Sequence, residues 1–140
     1  MNEDAAGRVI HSAHMIKETQ MRRAEERAQK MPLILPLRHP FVVEEAWQRR
    51  GRPIAELLEG FRSYQDRFWP IAAHVMPVDS DRREACLAEM ADGLGLPLKT
   101  DWTVINGREK THDLRWTDCT PSDAVKRLAD EMTPILERYY

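Results

Sequence analysis

The chain has 140 residues, of which 42% are hydrophobic and 31% charged, and its formal net charge is −2. These values are typical of one soluble globular domain and exclude a strong overall field for nucleic acid. No apolar run approaches the ~18–20 residues that span a bilayer, so we expect no membrane partner. The polar, acidic start "MNEDAAGRVIHSAH" is not a signal peptide, which predicts a cytoplasmic protein.

The first 31 residues are predicted to form an N-terminal helical arm. Residues 8–30 contain neither Pro nor Gly and are rich in strong helix formers. The apolar residues of this predicted helix form a narrow stripe, and several of them have small side chains. They are Val9, Ala13, Ile16, Ala24, Ala28 and Met31. Such a helix lies across a domain, pairs with a second copy of the chain, or orders on a partner. The arm therefore points to interaction, and a homo-oligomer through this helix is one option.

A proline-rich segment over residues 32–40 separates the arm from a compact domain, residues 41–140. Pro32, Pro36 and Pro40 recur every four residues, a spacing that forbids a helix. We predict an extended connector, either a linker packed on the core or an edge strand. The sequence leaves open whether it adds a strand to the hairpin described below.

Four helices are predicted in the compact domain from apolar spacing and stop signals. They span residues 41–50, 53–68, 81–92 and 121–132. Gly51 ends the first helix, and Pro70 ends or kinks the second. The residues that follow Pro70, "PIAAHVM", are expected to add another helical turn or two.

Polar residues and prolines mark the helix ends. Asp79 and Ser80 are predicted caps of the third helix, and the "DGLG" after it is a stop signal. Thr120 is the predicted cap of the last helix, with Pro121 in its first turn. Pro134 predicts a kink, so that the final residues form a separate turn.

A β-hairpin is predicted at about residues 98–116, which contain "DWTVINGREKTHDLRW". A two-residue Asn-Gly loop would divide the apolar side chains between two faces of the ladder. A three-residue loop, residues 105–107, instead places four of them on one face, namely Trp102, Val104, Leu114 and Trp116. Since a two-stranded hairpin is marginal alone, this face should pack on helices, on the connector or on a partner. The fold class is therefore α+β, mainly helical.

Signatures of catalysis or metal binding are weak. Cys86 and Cys119 are isolated from each other and are expected to be small buried side chains. His11, His14 and Glu18 share a helix face, which makes a poor metal site on an exposed helix. A second group of residues belongs to types that serve in catalysis or metal binding, but no further cluster of known spacing accompanies it. Its members are His112, Asp113, Asp118 and Cys119. Known enzyme motifs are missing, so we predict no catalytic residue, metal ligand or cofactor.

Charge is distributed unevenly along the chain. Residues 1–52 carry ten Lys/Arg against seven Asp/Glu, whereas residues 53–98 carry four against eight. We predict partner-binding positions at Arg22, Arg23, Arg27, Arg49, Arg50, Arg52, Arg108 and Lys110. Helices followed by a hairpin also fit a winged-helix regulator of DNA, with 81–92 as recognition helix. That segment carries four acids and two bases, and acids in a groove repel phosphate.

The sequence therefore favours a non-enzymatic protein-interaction protein over the DNA-binding alternative. Arg outnumbers Lys by 16 to 5, a ratio common in GC-rich bacterial and phage genomes. We expect an adaptor, assembly factor or inhibitor that acts on another protein or a larger protein or nucleoprotein complex. Nucleic acid is a less favoured partner, and the location is the host cytoplasm if a phage encodes the chain.

Overall fold

The computed structural model describes residues 2–3, 9–10, 17–96 and 114–140. Its strands are β1 (Asn2–Glu3), β2 (Val9–Ile10), β3 (Ile34–Leu37) and β4 (His74–Pro77). Its helices are α1 (Glu18–Ala28), α2 (Pro40–Arg49), α3 (Ile54–Ser63), α4 (Arg83–Leu94), α5 (Asp123–Glu131) and α6 (Thr133–Tyr139). The predicted class, α+β and mainly helical, is confirmed. No helix in the described part of the chain is long and apolar enough to cross a bilayer.

The proline-rich connector is a strand and not a loose linker. β3 pairs in parallel with β4, in a register that runs from Ile34 opposite His74 to Leu37 opposite Pro77. The carbonyls of Leu33 and Leu37 accept hydrogen bonds from the neighbouring strand's segment. Because alternate residues bond in a parallel ladder, Pro36 falls where its missing N–H breaks no ladder bond. Leu35 and Leu37 are fully buried, which explains the apolar character of the segment.

The residues after Pro70 correct the sequence prediction. α3 continues through a π-helical turn, Tyr64–Phe68, and a 3-10 turn, Trp69–Ile71, where the helix ends. The expected further helical turn is instead β4, which sequence periodicity missed because its partner β3 lies 40 residues earlier. Pairing in the parallel sheet overrides weak local helix preference over so short a segment.

The four predicted helices of the compact domain are present as α2, α3, α4 and α5. α6 follows α5 as a separate helix with Pro134 in its first turn, which confirms the predicted break. The main core lies between β3, α2, α3, α5 and α6, and its buried side chains are Leu37, Leu57, Val125, Leu128, Ala129, Met132, Ile135 and Leu136. Each large aliphatic side chain buried there contributes roughly 1.5–3 kcal/mol.

The predicted cap of α5 is wrong by two residues. Ser122, and not Thr120, is the N-cap, and its Oγ accepts a hydrogen bond from the Val125 backbone N–H at 3.4 Å. The buried Glu44 carboxylate on α2 in turn accepts from the Ser122 backbone N–H at 2.7 Å and from its hydroxyl at 2.5 Å. The helix start is therefore fixed by a residue 78 positions away, which local sequence rules do not include.

Asp79 and Ser80 bind other parts of the chain, and the N-cap of α4 is Arg82. The Asp79 carboxylate accepts the His39 backbone N–H at 3.0 and 3.2 Å, and it also accepts the Tyr140 hydroxyl. Ser80 donates its hydroxyl to the Tyr139 carbonyl and accepts the Arg82 backbone N–H. These bonds fasten the C-terminus to the junctions β3–α2 and β4–α4.

The helix of the N-terminal arm is shorter than predicted. It begins at Glu18, where the Gln20 side chain accepts the Lys17 backbone N–H at 2.9 Å. Val9–Ile10 pairs instead with Asn2–Glu3 in an antiparallel bridge, as suits β-branched residues. The division of the chain into arm, connector and domain stays a prediction.

α1 is attached to the rest of the protein. Ala24 is buried against Leu35 and Phe68. Arg67 forms ion pairs with Glu18 and Glu25, and its guanidinium holds the pKa of the Glu18 carboxyl below its usual value. The helix therefore docks through one apolar contact and one cation that bridges two of its turns.

Most of the predicted hairpin, including the loop at 105–107, lies outside the described residues. Its last residue, Trp116, belongs to a 3-10 turn, Trp116–Asp118, and not to a strand. The turn is closed by the Asp118 N–H bonding to the Arg115 carbonyl at 3.0 Å. The Trp116 ring stacks on the His39 ring, with centroids 4.7 Å apart.

Replacement of Glu44 tests how strongly α2 fixes the start of α5. Glu44→Ala removes both acceptors of Ser122 in a buried site, so we expect a loss of about 2–4 kcal/mol in unfolding free energy. Urea denaturation measures it. Glu45→Ala is the matched control on the same helix, because the half-buried Glu45 pairs with the exposed Arg49 at a long 3.9 Å and its loss should change stability by less than about 0.5 kcal/mol. Equal effects of the two substitutions would contradict the assignment.

The buried His39 predicts a pH dependence of stability. Rings of Phe41, Trp116 and Tyr140 surround it, and burial lowers its pKa from 6.5 to about 4. As the pH falls below 6.5, the imidazole of His39 binds a proton in the unfolded chain. In the folded chain the same imidazole stays neutral down to about pH 4. The stability due to the neutral ring is therefore complete above pH 6.5 and lost between pH 6.5 and 4, by on the order of 3 kcal/mol.

The variant His39→Asn isolates this effect, because Asn keeps a helix-capping acceptor for the Phe41 N–H and does not titrate. Denaturation at pH 7 and at pH 4.5 should show a smaller acid loss in the variant than in the unmodified chain. The same acid loss in both proteins would mean that His39 is not the group responsible.

Candidate functional site

A groove of about 480 Å³ lies between α1 and the end of α2 and α3. Its walls combine large apolar rings with a few charged side chains at the edge. The lining residues are Met21, Trp47, Arg52, Glu56, Glu59, Gly60, Ser63, Tyr64 and Phe68. This volume falls in the usual range for ligand pockets, roughly 300–1,000 Å³.

The turn between α2 and α3 positions the charged edge of the groove. Gly51 has φ +63°, the left-handed conformation that glycine adopts without strain. Its N–H bonds the Gln48 carbonyl, and the Arg52 N–H bonds the Trp47 carbonyl, both at 3.0 Å. This pair of bonds is a Schellman motif, so the predicted stop at Gly51 is confirmed.

The motif returns the chain over the last turn of α2 and thereby places Arg52 on Trp47. The guanidinium carbon lies 4.3 Å from the centre of the indole ring, within the range of a cation–π contact. The same guanidinium pairs with Glu56 at 3.1 Å, which keeps it at the mouth of the groove. Arg52 is 39% exposed and so remains open to a partner.

The groove has depth because one wall lacks a side chain. Gly60 lies within α3, and a Cβ atom built on it meets no atom within 4 Å. A side chain at this position would therefore enter the groove without disturbing the core. Glycine inside a helix is unfavourable by roughly 0.5–1 kcal/mol relative to alanine, so the sequence keeps an open wall at a cost in stability.

Two aromatic residues of the groove carry buried polar atoms, Trp47 Nε1 and the Tyr64 hydroxyl. Neither atom has a hydrogen-bond partner among the residues that the structure describes. Burial raises the pKa of the Tyr64 phenol, which therefore stays protonated and able to donate. Buried donors normally have acceptors, and such exceptions are notable.

The structure separates the predicted partner-binding residues into two groups. Arg49, Arg50 and Arg52 lie at the end of α2 and in the turn after it. Of these three, Arg52 lines the groove, and Arg49 lies 3.9 Å from Glu45. The predicted partner-binding residues of α1 form the second group and are exposed. They are Arg22, Arg23 and Arg27. Arg22 also pairs with Glu18 at 3.3 Å. Arg108 and Lys110 lie outside the described residues.

Of the second group of reactive residues, the structure describes Asp118 and Cys119. Cys119 donates its thiol hydrogen to the Arg115 carbonyl at 3.5 Å, and burial, together with the nearby Glu45 and Asp118, raises the pKa of that thiol. A nucleophilic cysteine needs the opposite shift. His11, His14, His112 and Asp113 lie outside the described residues. Among the residues that are described, no three His, Cys, Asp or Glu side chains gather as metal ligands.

Arg52 is among the partner-binding residues predicted from the sequence, but the groove that it lines was not predicted. The apolar spacing that predicts helices over residues 41–50 and 53–68 does not indicate that Trp47, Tyr64 and Phe68 leave a space between them. The π-helical turn at Tyr64–Phe68 rotates these side chains, and hydrophobic periodicity does not reveal such turns. The glycine at position 60 was the available signal, since an interior helix glycine often has a packing or functional reason.

Comparison with known proteins identifies no relative. No protein-family model, no curated protein and no solved structure matches the chain.

Proposed function

We propose that the protein is a non-enzymatic interaction protein and that the groove holds an acidic, partly apolar segment of a partner protein. The observation that carries this proposal is the position of Arg52, held by the Schellman turn and stacked on Trp47 at the mouth of an apolar groove. Trp, Tyr and Arg are the residue types enriched at the energetic centres of protein interfaces.

Charge favours an acidic segment. Arg52 lies at the mouth of the groove, and the Glu56 carboxylate with which it pairs is 50% exposed and so only weakly bound. An incoming Asp or Glu can compete for Arg52 and gain a bidentate contact, which is the strong geometry for this side chain. Rim charges of this kind raise the rate of encounter and select the partner.

Shape favours a short peptide segment over a flat surface. The floor of Met21, Trp47, Tyr64 and Phe68 can accept one or two apolar side chains. Trp47 Nε1 has no acceptor within the described part of the chain, and a peptide carbonyl is the acceptor that any protein segment brings. Anchor side chains in a groove, flanked by charge pairs, form a recurrent mode of peptide recognition.

This role is compatible with an adaptor, an assembly factor or an inhibitor, and with a bacterial or phage source. The partner is another protein, alone or in a larger complex that includes nucleic acid. A second copy of the chain and duplex DNA are the other occupants that the experiment below distinguishes.

A peptide-display selection against the full chain tests the proposal. We expect enriched peptides that combine apolar residues with Asp or Glu. Gly60→Phe fills the groove, and Arg52→Glu reverses the charge at its mouth, so each should weaken a selected peptide by at least about tenfold. Arg127→Glu, an exposed change on α5, is the matched control and should leave affinity unchanged.

Other outcomes would contradict the proposal. Peptides that bind the two groove variants as well as the unmodified chain would place the interaction elsewhere. Dimerisation abolished by Gly60→Phe would make a second copy the occupant. Binding of duplex DNA that falls steeply with salt and is lost in Arg52→Glu would favour the DNA-binding alternative.

A further inference from the structure

A second cavity, of about 600 Å³, opens between β4, α4 and α6, away from the groove. We call it the polar cleft. Its lining residues are Trp69, Ala72, Ala73, His74, Val75, Arg82, Ala85, Cys86, Glu89, Met90, Arg138 and Tyr139. None of these residues lines the groove, so the two sites can be tested separately.

Two arginines, Arg82 and Arg138, line the polar cleft. Arg82 immediately precedes α4, and its Nη1 donates to the backbone carbonyl of Arg138 on α6. Within the described residues neither guanidinium forms a salt bridge, and Glu89 is the one carboxylate among the lining side chains. Two arginines against one carboxylate give the lining of the cleft a net positive charge.

Aromatic rings form the wall beside these charges. Trp69 and Tyr139 pack edge to face with centroids 6.0 Å apart. The Arg138 guanidinium carbon lies 5.5 Å from the centre of the Tyr139 ring. A cation held next to an aromatic wall can bind a ligand that has an anionic group and a flat apolar body.

The opposite wall depends on the absence of a side chain at Gly93. A Cβ atom at this position would lie 3.2 Å from His74 Cε1, closer than ordinary contact. The imidazole of His74 therefore rests against the helix backbone and borders the cleft. Cys86 contributes a neutral wall, because burial raises the pKa of its thiol.

We propose that the polar cleft binds a small organic anion, with its phosphate or carboxylate group between Arg82 and Arg138 and its planar body against Trp69 and Tyr139. The volume suits one small molecule of this kind. This site is independent of the proposed peptide groove, so the failure of either proposal leaves the other standing.

Phenyl phosphate, benzoate and inorganic phosphate are suitable probes, followed by calorimetry and by tryptophan fluorescence. Phenyl phosphate should bind at least about tenfold more tightly than inorganic phosphate, because only the former reaches the aromatic wall. Benzoate reports whether a carboxylate serves as well as a phosphate. Backbone NMR shifts on the unmodified chain should cluster at His74, Cys86 and Tyr139.

Substitutions distinguish the contribution of the arginine charge to ligand affinity from that of the aromatic wall. Arg138→Gln should weaken phenyl phosphate and benzoate by about tenfold or more, whereas the control Arg127→Gln on α5 should change neither. Trp69→Leu should weaken phenyl phosphate and spare inorganic phosphate. If Trp69→Leu does not fold, the NMR map on the unmodified chain decides.

Two results would overturn the proposal. One is the absence of saturable binding by both aromatic anions. The other is binding whose affinity is equal in the unmodified chain, in Arg138→Gln and in Arg127→Gln, or whose NMR shifts lie outside the cleft.

Discussion

The Asp79 carboxylate is the contact on which the arrangement of the chain depends. It binds the backbone N–H of His39 at the start of α2 and the hydroxyl of Tyr140 at the end of the chain, while lying itself between β4 and α4. Burial and the adjacent carboxylate raise the pKa of the Tyr140 phenol, which keeps the hydroxyl a donor. One half-buried side chain therefore links the sheet, the start of α2 and the residue that follows α6, and loss of the carboxylate would leave its donors without this acceptor.

Both proposed sites follow from this arrangement. The start of α2 fixes where its last turn, with Trp47 and Arg52, meets α3, and so determines the groove. The anchored C-terminus brings Arg138 and Tyr139 against β4 and α4, and so determines the polar cleft. Asp79 lines neither site. It holds the secondary-structure elements together, whereas other residues are proposed to bind the ligands.

The sequence was sufficient to predict the structure wherever interactions between residues close in the chain determine it. The apolar spacing of α2, α3 and α5, the stop at Gly51 and the break at Pro134 are local features and were predicted correctly. The sequence-based predictions were wrong where residues far apart in the chain determine the local structure. β4 exists because of β3, and the cap at Ser122 is held by Glu44. For the site, Arg52 was among the predicted partner-binding residues, but the groove that it lines is formed by residues of α1, α2 and α3 together, which no single segment encodes.

Site-specific photo-crosslinking tests the central claim, that an acidic segment of a partner protein occupies the groove. A photoreactive phenylalanine derivative replaces Ser63, which lines the groove, or Lys126, which is exposed on α5 and does not. The chain is then expressed and irradiated in the cells that encode it, and the joined peptide is sequenced by mass spectrometry. The account predicts a discrete crosslink from position 63 to a segment rich in acidic and apolar residues, and none from position 126. No crosslink at position 63, or the same products from both positions, would contradict it.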